Sequence, residues 1–465
     1  MVVNILKYIG PFLRINTLNK TSIENQLFHL SKESLKYLVL ESKCGITLPI
    51  KELKTKNIPN IDTNTISSFS PLLCIYKKAN PKLSNVGNMY SLEEDTFKKE
   101  ILISSNALMT LSIIELSIYY KNFKNIDSKK YTLGCIYQNL AKSQLDFYAS
   151  YLRNAEGVFV DKKNVTDSKM EDIKLEDKNK KFKYSDQAFL MCAFYKYSCI
   201  DDNKSSEGYK NFSLDILKMF LEFKDSLYDI SFEELCKLAL ALNTFYKYSN
   251  MPEARSLLID ISEYLMETHK HSLISKLDSK LECLCLLSIN SILLYNSTSI
   301  LIFKEFAKEI NDKLLELYNP QLGIFIKNAD KKESSYSSNE IVFYIINMLL
   351  YSNMNDTSSD NDLIIIDIFK RQLIESGIIL SWPDAPNIDD MERYRNSSLN
   401  SEDLLEDQDF KLATIATPEN AEMASIFIKS VTYNRKKETF SQSKLTFDTS
   451  DNMLIFFLIL QLFGK

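Results

Sequence analysis

Apolar segments of two kinds alternate along this 465-residue chain. In 252–270 the residues Leu257, Leu258, Ile261, Tyr264 and Leu265 make one stripe at helical spacing, with Arg255, Asp260, Glu263 and Glu267 opposite. In 298–318 the stripe is Phe303, Phe306, Ala307, Ile310, Leu314 and Leu317. A helix so patterned buries one face. Segments 281–294, 341–350 and 453–460 are apolar nearly all round and need partners on most sides. Outer helices wrapped round an inner set satisfy both demands.

Periodicity and capping residues predict helices near 20–42, 93–121, 131–153, 185–200, 208–228, 231–249, 252–270, 277–296, 298–318, 337–353, 360–375, 418–434 and 450–463. Thr21 with Glu24 and Ser231 with Glu234 have capping-box spacing, and Pro252 suits a first helical turn. The chain has nine glycines where average usage of about 7% would give more than thirty. Tight-turned β architectures are disfavoured by that scarcity, and no two glycines are close enough for a Walker, Rossmann or kinase loop.

Loop lengths follow the alternation. Connections out of all-round helices are short, at 201–207, 250–251, 297 and 354–359. Connections into them are long, at 43–92, 154–184, 319–336 and 376–417, so elaboration should gather on one rim of a single domain covering 1–465. Two of these loops share a motif. Gly157-Val158-Phe159-Val160 leads through a lysine-rich stretch to Tyr184-Ser185-Asp186-Gln187, and Gly323-Ile324-Phe325-Ile326 leads to Tyr336-Ser337-Ser338-Asn339-Glu340. Thr449-Ser450-Asp451-Asn452 is a fainter echo without the glycine segment. Ser185 or Asp186, Ser337 or Ser338, and Asp451 suit helix N-caps.

This pairing of outer and inner helices, with Gly-Val/Ile-Phe-Val/Ile and Tyr-Ser-x-Asp/Asn between them, resembles the (α/α)6 toroid of the six-hairpin glycosidase superfamily. The expected fold is therefore all-α, a toroid of helical hairpins, with an open α-hairpin solenoid as the alternative. The resemblance implies a glycoside hydrolase, polysaccharide lyase or sugar epimerase with its site at the inner-helix rim. Histidine-dependent epimerases fit poorly, because the chain holds only His29, His269 and His271.

The eight cysteines form no CxxC and HExxH is absent, so no metal site and no cofactor are expected. Scattered cysteines, no signal-peptide pattern, and apolar runs at 341–351 and 453–463 about half the roughly 20 residues of a membrane span lead to the expectation of a cytoplasmic protein off the membrane. A net charge of −5 without a basic stripe argues against nucleic-acid binding.

Chemistry points first to 376–417. It contains the only tryptophan, Trp382, and from Asp384 to Asp409 nine acids face two arginines. Cleaving a glycosidic bond takes two carboxyls, one protonated and one ionised. Asp384 with Asp186 or Asp390 is the candidate catalytic pair. Trp382 would be a stacking platform, Arg393 or Arg395 would grip an acidic group, Tyr394 would help bind the substrate, and Gln187, Asn339 and Glu340 would face the same rim. The alternative is a solvated acidic lid in which Trp382 plugs apolar surface, with capping as the role of the Tyr-Ser motif. Two functions stay open: a carbohydrate-active protein binding a saccharide or other small polar ligand, and a non-enzymatic helical scaffold holding a protein partner.

Overall fold

The computed structural model describes residues 18–53, 69–86, 89–166, 172–179, 181–201, 206–272, 281–327, 330–355, 359–394, 406–412 and 414–464. Its main helices in chain order are α1 (Lys20–Leu40), α2 (Ile103–Lys121), α3 (Ser128–Tyr151), α4 (Tyr184–Ile200), α5 (Ser206–Glu222), α6 (Phe232–Ser249), α7 (Pro252–Ser272), α8 (Leu281–Thr298), α9 (Leu301–Leu315), α10 (Ser338–Asn355), α11 (Ser359–Ile368) and α12 (Thr449–Phe463). A π-helical turn, Phe369–Ile374, extends α11.

The even-numbered helices form a closed ring. Each packs on the next, α2 on α4, α4 on α6, α6 on α8, α8 on α10 and α10 on α12, and α12 returns to α2. The odd-numbered helices stand outside: α3 on α2, α5 on α4, α7 on α6, α9 on α8, α11 on α10 and α1 on α12. The architecture is an (α/α)6 toroid, which excludes the open solenoid.

Hydrophobic pattern decides which helix goes where. Fifteen of the 19 residues of α2 and 11 of the 15 of α12 are buried, against 4 of 17 in α5 and 6 of 15 in α9. Inner helices touch two ring neighbours and an outer partner, so they bury on nearly every side. Among the described residues one helix, α8, is apolar and long enough to cross a membrane, and it is largely buried here as an inner helix.

Two sequence expectations change. The segment 418–434 is not an outer helix. A single turn at Pro418–Ala421 precedes a strand at Ile428–Asn434, where burial of Ile428, Val431 and Tyr433 follows the sheet rather than a helical stripe. The outer helix of the last hairpin is instead α1, from the other end of the chain. The segment near 93–121 becomes helical only at Ile103, after a short 3-10 turn and a strand at Glu100–Ile101.

Long loops fall where the parity placed them, at the end where inner helices begin. Their strands tie hairpins together. One antiparallel sheet runs Glu333–Ser337, Ile428–Asn434, Thr439–Asp448 and Lys78–Ala79, joining the lead-ins of α10, α12 and α2.

The caps also shift. Asn19, not Thr21, accepts from Ser22 N–H at 2.8 Å. Asp448, not Asp451, caps α12 by accepting from Ser450 N–H at 3.1 Å. Lys183 occupies the N-cap position of α4 without a side-chain bond, so Ser185 and Asp186 do not cap that helix. Ser337 does cap, accepting from Glu340 N–H at 3.1 Å.

Candidate functional site

The first turns of the inner helices point into one end of the ring, and acids occupy them: Asp186 in α4, Glu233 and Glu234 in α6, Glu282 in α8, Glu340 in α10 and Asp451 in α12. Carboxylates suit the positive end of a helix dipole. Between α2, α4, α6 and α12 lies a cavity of about 260 Å³, lined by Ser104, Ser185, Ser231 and Ser450, by Asp186, Glu233 and Glu234, by Lys183 and Lys237, and by Leu108, Phe189 and Leu454.

Asp186 is the chemically unusual member. It is 5% exposed and lines the cavity, and no hydrogen bond or ion pair with another described residue holds its carboxyl. Burial raises its pKa from 3.8 to about 7, helped by Asp161 and Glu234 and opposed by Lys183 and Lys237. The acid is poised to carry a proton near neutrality. Glu233 stands on the adjacent helix in an ion pair with Lys237, 2.8 Å apart, with most of its side chain exposed. Glu234 accepts from the Tyr184 backbone N–H at 2.8 Å, so it fixes the entry to α4.

Beside the cavity is a second carboxyl pair. The Asn339 amide donates to Glu282 Oε1 at 3.0 Å and to Asp451 Oδ1 at 3.1 Å, bridging α8, α10 and α12. Burial raises Glu282 to about 7 and Asp451 to about 6. Lys237 bears electrostatically on both carboxyls, which with the Glu233 ion pair keep its pKa up against burial. It therefore couples this pair to the cavity.

The structure gathers some expected residues here and separates others. Asp186 lines the cavity and Asn339 bridges the neighbouring acids. Gln187 is taken up structurally: its Oε1 accepts from Phe159 N–H at 3.0 Å and its Nε2 donates to Phe159 O at 2.8 Å. Glu340 pairs with Lys327 at 2.6 Å and accepts from Ser337 N–H at 2.8 Å.

The described part of 376–417 contributes no residue to the cavity lining and runs along α1 instead. His29 meets Asp384 O at 2.7 Å, Gln26 donates to Gln408 O at 2.6 Å, and Ser22 to Asp409 at 3.0 Å. Trp382 is fully buried, its indole N–H donating to Phe410 O at 2.9 Å, so it has no face free to stack on a ligand. The Asp384 side chain is 74% exposed and pairs with Lys411 at 3.2 Å. Asp390 pairs with Lys130 at 2.9 Å. Arg393 is held by Pro386 O and by Asp407. Tyr394 ends a 3-10 turn, and Arg395 lies outside the described residues. Glu392, not singled out from sequence, is the buried anchor, bound by Lys32, by Lys130 at 3.1 Å and by Tyr119 at 2.6 Å.

Sequence reasoning passed over Glu233, Lys237 and Glu282 and read Asp451 and Glu234 as capping residues. A signal was present. An acid in the first turn of helix after helix, each followed by an apolar run, is a ring of carboxyls once those helices are known to close.

No described protein family matches the sequence, and no curated protein does. Among solved structures the chain is similar to a D-mannose isomerase (9% identity, TM-score 0.46, covering 93% of this chain and 98% of that one). It is similar to a family 76 α-mannanase of Bacteroides thetaiotaomicron (10%, 0.45, 96% and 98%) and to an endoglucanase of the termite Nasutitermes takasagoensis (11%, 0.44, 96% and 98%). The closed ring of six inner helices and its six outer partners determine the fold. It is the six-hairpin toroid. In this toroid the acid-lined cavity occupies the inner-helix entrance. Among the described residues no three His, Cys, Asp or Glu side chains converge as a metal site.

Proposed function

We propose that this toroid is a carbohydrate-active protein working by acid–base chemistry in this cavity, with Asp186 as proton donor and Glu233, of the same lining, as the second carboxylate. The observation that carries this is Asp186 itself, a buried carboxyl with no hydrogen bond or ion pair to another described residue, opening on a cavity, its pKa pushed up to about 7 by burial. Glycoside cleavage asks for that state on one side of the bond and an ionised carboxylate on the other. Asp186 would protonate the departing glycosidic oxygen. Glu233, in an ion pair with Lys237, would take the proton of an attacking water or stabilise the developing positive charge. Serine hydroxyls and carboxyls dominate the lining, with three apolar contacts, a surface suited to a polyhydroxyl ring. The volume is below the roughly 300 Å³ at which drug-sized pockets begin, favouring a single sugar unit or a chain end.

Release of chromophore from a panel of aryl glycosides by wild type, D186N and E233Q tests the reading. Turnover by wild type and its loss by about a hundredfold or more in each variant is expected. Wild-type turnover that survives in both variants removes these roles. Neither turnover nor any thermal stabilisation by sugars would leave the toroid as a scaffold.

A further inference from the structure

We propose that the free edge of the strand Thr439–Asp448 receives an acidic, extended peptide segment of a partner protein, added to the sheet as a further strand. The surface is separate from the cavity, and none of its residues line it.

The order of strands in the sheet leaves this edge open. On one side Thr439–Asp448 pairs with Ile428–Asn434, but on the other only Phe447 and Asp448 meet a strand, at Ala79 and Lys78. From Thr439 to Thr446 no backbone of the described residues pairs with that second side. Thr439 and residues 441–445 are exposed. An unpaired strand edge presents a row of N–H and C=O groups to which an extended chain can bond. No proline interrupts the row. Residues 439–442 stand in unbroken register against 434–431, and Phe440 packs on Tyr433 with ring centroids 4.8 Å apart, so this stretch is held firmly. Beyond it, the register slip around Ser430 and the charge of Lys444 guard the edge against indiscriminate strand addition.

Charge selects the occupant. The turn Arg435-Lys436-Lys437 leads into the strand, and Arg435 N–H donates to Lys332 O at 3.0 Å, which brings Lys331 and Lys332 alongside. With Lys444 these make six exposed cations, none in an ion pair with a described residue, against Asp330, Glu333 and Glu438. The whole chain carries −5, so this corner has the opposite sign to the rest. Carboxylates on an incoming strand would answer these cations. A second copy of the chain fits poorly, because antiparallel self-pairing about Gln442 brings each basic turn near the other copy's Lys444. A nucleic acid or a lipid headgroup would meet the cations but offers no row of alternating donors and acceptors to the edge.

Fluorescence polarisation of the full chain with a labelled, amidated peptide alternating glutamate and valine tests the proposal. The peptide should bind, more weakly as salt is raised, and slow amide exchange at residues 439–442. A lysine–valine peptide should not bind. The acidic peptide N-methylated at every residue keeps its charge and loses its donors, and should bind about tenfold or more weakly. K436E/K437E, with an unchanged melting temperature, should lose about tenfold in affinity for the acidic peptide. No binding of the acidic peptide, equal binding of its N-methylated form, or undiminished binding by K436E/K437E overturns the proposal. Tighter binding of phosphatidylserine vesicles or single-stranded DNA than of the acidic peptide also overturns it, in favour of a phosphate-bearing partner. The N-methyl comparison uses wild type alone and decides the strand edge whatever the stability of the variant.

Discussion

Gln187 holds the backbone of Phe159 on both sides, accepting its N–H at 3.0 Å and donating to its carbonyl at 2.8 Å. The same two-sided grip recurs three times. Asn106 holds Ile75, Asn452 holds Phe427, and Gln372 holds Phe325. In α2, α4 and α12 the amide occupies the fourth helical position, so the residue before it is aimed into the ring. Asp186 and Asp451 are two of those preceding residues. Replacing Gln187 by Ala leaves a buried N–H and a buried carbonyl unpaired, and should lower unfolding free energy by about 1–3 kcal/mol. Urea denaturation with an unchanged m-value checks it.

Stability should fall as pH rises from about 4 to 7. The carboxyls of Asp186, Glu282 and Asp451 sit at about 7, 7 and 6 in the folded chain, above their ordinary values of 3.8, 4.5 and 3.8. Between those limits the native state binds protons that the unfolded chain has lost, so the contribution is full below the ordinary values and lost as pH passes the raised ones. D186N removes its share of that slope. At pH 8 the variant should be more stable than wild type by up to about 4 kcal/mol, with little difference at pH 4. Parallel melting curves across this range would refute the assignment.

Glu392 gives a dependence of opposite sign at lower pH. Burial alone would raise its pKa, but Lys32 and Lys130 hold its carboxyl well below the usual carboxylate range. Its contribution is present above the ordinary value of 4.5 and disappears as acid titrates the folded group. Removing one partner of a buried pair is costly, so E392L and K32M should each destabilise by about 3–5 kcal/mol. The double variant K32M/E392L should recover much of that loss, which a double-mutant cycle in urea would show.

Trp382 is the only tryptophan and lies 0% exposed against Phe369, so its fluorescence reports the belt along α1. W382A should cost about 3–5 kcal/mol and leave sugar binding at the cavity intact. A variant of unchanged melting temperature that lost ligand binding would return Trp382 to the binding surface.

The ring was legible because burial on two or three sides leaves a mark in composition. Segments such as 281–294 could not face water anywhere, and the striped segments supplied their outer cover. Two features escaped. A short apolar run such as Ile426, Phe427 and Ile428 fits a buried helix segment or a strand, and only pairing with Glu333–Ser337 and Thr439–Asp448 decides it. The acidity of 376–417 suggested a mouth, because sequence counts charges without their partners. In three dimensions Lys32, Lys130 and Lys411 answer Glu392, Asp390 and Asp384, and those lysines lie up to 360 residues away. Asp186 was singled out from sequence and lines the cavity; Glu233, in the same lining, looked like an ordinary helix-start acid.

The return of α12 to α2 has a consequence during synthesis. Five greasy rods will have left the ribosome before the sixth arrives, and each end of that incomplete arc presents a face that water tolerates poorly. Chaperone retention of nascent chains truncated before residue 449, with release once Phe463 has emerged, is the expected signature of a molecule whose keystone is made last.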